Sequence, residues 1–139
     1  MASSTYTLTI PSSTRFLEDV REFVTMHATS AGFDEMEVEQ LKMAVDEACT
    51  NVIEHAYAGQ SEQPIDIAII LNRDKLTIRI RDKGQTFNQK TYQEPDLIKY
   101  AKTRKSGGFG VHIMRKLMDE VAYNNSGGYN ECRMVKYRH

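Results

Sequence analysis

The 139-residue chain is short of several things, and each shortage closes a class of function. It has two cysteines, Cys49 and Cys132, far apart and in no CxxC pair. A disulfide framework and a zinc site are therefore disfavoured, and free thiols in a reducing cytosol are expected. No stretch of about 18 apolar residues occurs, so no membrane-spanning helix is encoded. The opening residues Met1 to Tyr6 lack the charged and apolar regions of a secretion signal. Localisation is accordingly expected to be cytoplasmic, with no membrane partner. Charge of one sign is missing too: 18 Lys+Arg stand against 19 Asp+Glu, a formal net charge of -1. Direct nucleic-acid binding needs a basic surface and is not expected. Repeats, low-complexity tracts and linkers are absent, which predicts a single domain over residues 1–139.

Familiar nucleotide and protease signatures are absent as well. There is no GxxxxGK[ST] loop, and Ile113 stands where a dinucleotide GxGxxG would need its third glycine. The HRD and DFG motifs of eukaryotic-type protein kinases are missing. No HExxH occurs, which excludes that class of metalloprotease.

The patterning that is present predicts an ordered series of elements. Tyr6, Leu8 and Ile10 alternate as a strand ended by Pro11. Ser12, Ser13 and Thr14 offer N-caps to a helix whose apolar residues run from Phe16 to Ala31 and which stops at Gly32. His27 lies on that apolar face and reads as a core or interface histidine. Asp34 with Glu37 three residues later resembles a capping box. The second helix carries Leu41, Ala44, Val45, Ala48, Val52 and Ala56 and ends near Ala58-Gly59. Ile65 to Leu71 and Leu76 to Ile80 alternate as a hairpin around Asn72-Arg73-Asp74-Lys75. Residues 85–105 are polar and irregular, with one short helix at 96–102. A third helix opens at Ser106 to Gly110 and bears Ile113, Met114, Leu117, Met118 and Val121. Strands at 121–123 and 130–137 close the chain around a glycine-containing turn. This order does not alternate strand and helix. It predicts an α+β fold, a two-layer sandwich with helices on one face of a mixed sheet.

Three polar features interrupt the apolar faces. Glu47 and Asn51, spaced i and i+4, project from one side of the second helix among Met43, Ala44, Ala48 and Val52. A carboxylate can take a proton there, and an amide oxygen can ligate a hard cation such as Mg²⁺. Alone, the pair reads as an exposed helical surface, since Glu and Asn are common on helix exteriors. Asp82 continues the inward phase of Leu76, Ile78 and Ile80, where an ionised carboxylate needs a partner. No basic neighbour shares its phase, so a ligand amine such as that of adenine is a candidate, with Gly84 letting a ring approach the backbone. A plain turn at Asp82-Lys83-Gly84 is the competing reading. Gly107, Gly108 and Gly110 lead into a helix N-terminus, whose free amides and dipole suit phosphate.

Taken together, in this order and on these elements, the features resemble the GHKL ATPases, the superfamily of gyrase, chaperone and histidine-kinase ATP domains. The segment from Met43 to Asn51 looks like the N box, Asp82-Lys83-Gly84 the G1 box and Gly108-Phe109-Gly110 the G2 box. Residues 47–57 and 108–121 are similar to those of bacterial anti-sigma-factor serine kinases. The resemblance implies an ATP- and Mg²⁺-dependent serine/threonine kinase with the histidine-kinase-like ATPase fold. It implies Glu47 as the general base, and Asn51 as the Mg²⁺ ligand beside the nucleotide. Asp82 would bind the adenine amine, with Gly84 making room for the base. Gly107, Gly108 and Gly110 would cover the phosphates as a lid, and Lys105, with Arg104 as a second candidate, would reach the γ-phosphate. It further implies a STAS-domain anti-anti-sigma protein as phosphoacceptor, a sigma factor or other regulator as the sequestered partner, and a homodimer. His55 matches a histidine common in the family.

The chain departs from the family at two places. Gln85-Thr86-Phe87 replaces a more glycine-rich continuation. Asn130 stands in the closing strand where many relatives carry Thr; it shares phase with Cys132 and Met134, which leaves it able to face the nucleotide. A binding module that sequesters its partner without catalysis is the alternative function, against which the presence of Glu47 argues. A solitary ATPase is a third.

Overall fold

Alternating threonines and apolar residues from Ser4 to Pro11 form the edge strand β1. Every second residue of such a strand points to the same side, so Leu8 and Ile10 turn inward while the threonines face water. The computed structural model describes residues 3–84 and 114–138. After β1, a 3₁₀ turn over Thr14–Phe16, capped by the Ser13 side chain, leads into helix α1, Leu17–Ser30. Helix α2, Glu35–Asn51, opens with the expected capping box. The Asp34 side chain accepts from the Glu37 N–H, and the Glu37 side chain accepts from that of Asp34. These reciprocal bonds satisfy amides that have no partner within the first turn.

Strands β2, Pro64–Leu71, and β3, Lys75–Asp82, make the predicted hairpin, with Asn72 Oδ1 accepting from the N–H of Asp74 and of Lys75. Strands β4, Glu120–Ser126, and β5, Tyr129–Tyr137, close the sheet. Gly127 and Gly128, both at positive φ, form the two-residue connection, a backbone that only glycine adopts freely at both positions. Helical residues 114–117 precede β4, and Val121 belongs to that strand rather than to the helix.

The sheet order is β1-β2-β3-β5-β4. Every pairing among the described residues is antiparallel, so the expected mixed sheet is corrected. Strands β3 and β4 do run the same way, but β5 is inserted between them. The chain between β3 and β4 therefore joins strands that are not neighbours in the sheet. The two-layer α+β arrangement stands as expected.

The core lies between the helices and the inner face of the sheet. Ile65, Ile67, Ile69, Leu76, Ile78, Ile80 and Met134 from the strands, with Val20, Val24, Leu41, Ala44 and Val45 from the helices, are all buried. Each large aliphatic side chain so buried contributes about 1.5–3 kcal/mol. His27 is half-buried at the layer's edge. Its ring stacks on Tyr6 at 4.0 Å and meets Phe23 edge-on at 4.9 Å. The outer face of the sheet has no helix over it among the described residues. It carries an ion-pair ladder, in which Glu131 takes Arg79 at 3.1 Å and Arg81 at 3.6 Å, and Glu120 takes Arg133 at 3.6 Å. No described helix is long and apolar enough to cross a membrane.

Candidate functional site

The i, i+4 stripe Met43, Glu47, Asn51 runs from solvent into the protein. Met43 is 51% exposed, Glu47 is half-buried and Asn51 is 9% exposed. Met43 is thus not part of the apolar surround expected for the pair. The next residues, Glu54 and His55, are exposed again, so Asn51 sits at the bottom of a dip.

Asn51 lies there with an unusual deficit. Both its Nδ2 and its Oδ1 are buried and without a hydrogen-bond partner. A buried amide left unpaired costs about 1–3 kcal/mol per group, so such groups point to a missing partner. A hard cation held mainly by phosphate oxygens and water needs only one or two protein oxygens, and the Asn51 carbonyl supplies one. Among the described residues no cluster of three or more His, Cys, Asp or Glu gathers to form a metal cage. The donor set therefore fits a phosphate-borne Mg²⁺ rather than a metal held by protein alone.

One turn back, the pKa of Glu47 is raised, first by burial and then by the negative charges of Asp46 and Glu54. Asp46 is held beside it by Arg21, whose Nε donates to both carboxylate oxygens at 3.0 and 2.9 Å. A carboxylate poised to accept a proton is what this environment provides.

After Asn51 the helix widens into a π turn, Val52–Ala56, in which the Tyr57 N–H reaches back to the Val52 carbonyl at 2.9 Å. Turns of this kind are frequent at functional sites. This one presses the Ala56 carbonyl against Gly84, where an added Cβ would lie 2.2 Å from that oxygen. The space released by this glycine is filled by the end of the helical segment. Backbone-to-backbone contact thus gives its own reason for glycine here, apart from the expected one of leaving room for a ring. Tyr57 ties the same elements together: its hydroxyl donates to the Pro64 carbonyl and accepts from the Lys83 N–H at 2.9 Å.

Asp82 ends β3 facing inward, 5% exposed, as its phase predicts. Its Oδ1 accepts from the Gly84 N–H at 2.8 Å, an Asx-type turn, as the turn reading expects. The same oxygen accepts from Asn130 Nδ2 at 2.8 Å, and that amide also donates to the Gly84 carbonyl at 3.0 Å. Asn130 lies directly opposite Asp82 in the β3–β5 ladder. The sequence places Asn130 in phase but gives no sign of this clamp, which needs the strand register. Lys83 reaches over the Tyr129 ring at 5.1 Å, a further tie between the ends of β3 and β5.

The structure thus brings Gly84, Asp82 and Asn130 into one cluster, and sets Gly84 against the turn that follows Asn51. Lys105, Gly107, Gly108 and Gly110 lie outside the described residues, as do Arg104, Phe87 and the short helix expected at 96–102.

Comparison with known proteins gives the following matches. The model of the histidine kinase-like ATPase domain matches residues 10–136. Serine-protein kinase RsbW of Bacillus pumilus is 35% identical over 126 residues, covering 86% of this chain and 77% of the relative. The protein of the same name from Listeria monocytogenes is 32% identical over 135 residues, covering 94% and 85%. A solved structure of the RsbU and RsbW domains of a Mycobacterium tuberculosis protein is similar in fold, with a TM-score of 0.69 at 17% identity. It covers 98% of this chain, which in turn spans 33% of that longer one.

Proposed function

Because the chain belongs to the histidine kinase-like ATPase domain family, we propose that it is an ATP- and Mg²⁺-dependent serine-protein kinase of the anti-sigma-factor type. It transfers the γ-phosphate of ATP to a serine of a STAS-type antagonist and sequesters a sigma factor or similar regulator, acting as a homodimer. The observation that carries this reading is the buried, unpartnered amide of Asn51 one turn beyond a half-buried Glu47. Its support from relatives is their name, serine-protein kinase.

Each residue has a distinct task in this mechanism. Asp82 accepts a hydrogen bond from the adenine amine, and Gly84 keeps the β3 end seated beside it. Asn51 offers its carbonyl oxygen to the cation. Bound Mg²⁺ supplies charge neutralisation across the phosphates during transfer. Glu47 accepts the proton of the acceptor serine hydroxyl as that oxygen attacks phosphorus. Burial suits it to the task, because a carboxylate of raised pKa is a stronger base than a free one. In this reading Lys105 would supply positive charge to the γ-phosphate, and Gly107, Gly108 and Gly110 would offer backbone N–H groups to the phosphates.

The deciding experiment combines the protein, Mg²⁺, ATP labelled at the γ-phosphate and a cognate antagonist. Label is expected on the antagonist. Glu47→Gln is expected to cut transfer by about 10²–10⁴-fold while nucleotide still binds. Binding without transfer to any antagonist favours a sequestering module. Phosphate released without an acceptor favours a solitary ATPase.

A further inference from the structure

We propose that Asn130 sets the purine choice of this site: by clamping Oδ1 of Asp82, it leaves Oδ2 as the ligand-facing acceptor and so selects a 6-amino over a 6-oxo purine. The inference rests on the nucleotide-site reading above and concerns which residue makes that site selective.

The argument begins with hydrogen-bond counting. A carboxylate only accepts, and each of its oxygens has two lone pairs. Oδ1 of Asp82 receives the Gly84 N–H and the Asn130 Nδ2, both at 2.8 Å, so both of its positions are used. Among the described residues nothing donates to Oδ2, and no lysine or arginine pairs with the group. Oδ2 is thus the oxygen left to a donor from outside the cluster.

The orientation of the Asn130 amide is fixed by its surroundings. The two groups that its Nδ2 meets, the Asp82 carboxylate and the Gly84 carbonyl, are both acceptors. Only the NH₂ end can face them, and a flipped amide would set oxygen against two oxygens. Asn130 in turn cannot drift, because it is the direct cross-strand partner of Asp82 in a continuous antiparallel ladder. One amide therefore holds both the carboxylate and the loop that follows it.

This geometry has a consequence for recognition. Held by the Gly84 N–H alone, the carboxylate can pivot about that one bond and let water bridge to a 6-oxo group. With Oδ1 held by two donors, Oδ2 has one direction, and a 6-oxo purine presents a lone pair to a lone pair there. A 6-amino purine presents N–H and completes the set. Sites that leave a buried polar group unmatched by the wrong ligand discriminate far more strongly than apolar pockets do. A hydroxyl at 130 would keep the bond to Oδ1 with a single donor and forgo the Gly84 carbonyl.

The test measures calorimetric affinities of ADP and inosine diphosphate with Mg²⁺, for the full chain, Asn130→Ala and Asn130→Thr. The wild type is expected to prefer ADP by at least about tenfold. Asn130→Ala is expected to lose most of that ratio, with inosine diphosphate bound as well as before or better. Asn130→Thr is expected to restore the ratio to within about threefold of wild type, since its hydroxyl returns a second donor to Oδ1 beside the Gly84 N–H. A ratio, unlike either affinity, is insensitive to a general loss of folded protein. If wild type prefers ADP and Asn130→Ala keeps the ratio, the assignment to Asn130 is overturned while the nucleotide site stands. Equal wild-type binding of the two nucleotides also overturns it. If wild type binds neither nucleotide, both the assignment and the site reading fall.

Discussion

Asn130 donates its side-chain amide to Oδ1 of Asp82 at 2.8 Å across the β3–β5 ladder, and the Gly84 N–H reaches the same oxygen. Asp82→Asn is therefore an unusually informative change. Two donors hold the oxygen of the new amide in the place of Oδ1, which turns its NH₂ toward the ligand. Affinity for ADP is expected to fall by at least about tenfold, since a donor now meets a donor. Inosine diphosphate is expected to bind better than to wild type. Unchanged ADP affinity in a calorimetric titration would contradict the role given to Asp82.

Asn51 gives a prediction of opposite sign for stability and function. Its buried amide atoms have no partner. Asn51→Leu, which is close in size, is expected to stabilise the ligand-free protein by about 1–3 kcal/mol in urea melts. The same variant should lose the Mg²⁺ dependence of ATP binding. A destabilised Asn51→Leu would mean that the amide is satisfied in solution.

Glu47 links pH to both. Burial raises its native pKa, so the native state binds its proton more readily than the unfolded chain does. The stability this group contributes is present in acid and is lost as pH rises through the raised value. Near neutrality the ionised group is a small net liability, and Glu47→Gln is expected to melt about 1–3 °C higher there. In mild acid the difference should vanish. Phosphotransfer should show the complementary trend, falling off in acid at a pH above that of a free glutamate. An acid limb at the free-glutamate position would argue against Glu47 as the base.

Gly84 tests the contact between β3 and the π turn. A Cβ there would sit 2.2 Å from the Ala56 carbonyl oxygen, and backbone cannot yield as a side-chain tip can. Gly84→Ala is expected to destabilise by about 1–3 kcal/mol, measured by denaturant midpoint. Wild-type stability would show that the β3 end can move away from the helical segment.

What the sequence reveals depends on the range of the interaction. The capping box at Asp34 and Glu37, the Asn72 turn and the inward phase of Asp82 are local, and a period of 2 or 3.6 residues displays them. The i, i+4 pairing of Glu47 with Asn51 is equally local. The antiparallel character of the whole sheet is not, because it depends on β5 slipping between β3 and β4. The Asn130 clamp is invisible for the same reason: Asp82 and Asn130 are 48 positions apart, and only the register sets them face to face. Lys136 makes the point differently. It reads as a charged strand residue, yet it is 8% exposed, and its Nζ donates to the Leu117 carbonyl at the end of helical residues 114–117. Gly84 shows the same limit, because a missing side chain looks the same in sequence whether a ligand or a carbonyl lies beside it.

The two cysteines provide a built-in reporter. Cys49 on α2 and Cys132 on β5 are both buried in the core, and burial pushes the Cys132 thiol up to about 12 and the Cys49 thiol higher still. Neither sulfur is a nucleophile while the helical layer stays on the sheet, because alkylating reagents attack the thiolate. The pace of iodoacetamide labelling therefore clocks how often the two layers part, without any engineered probe.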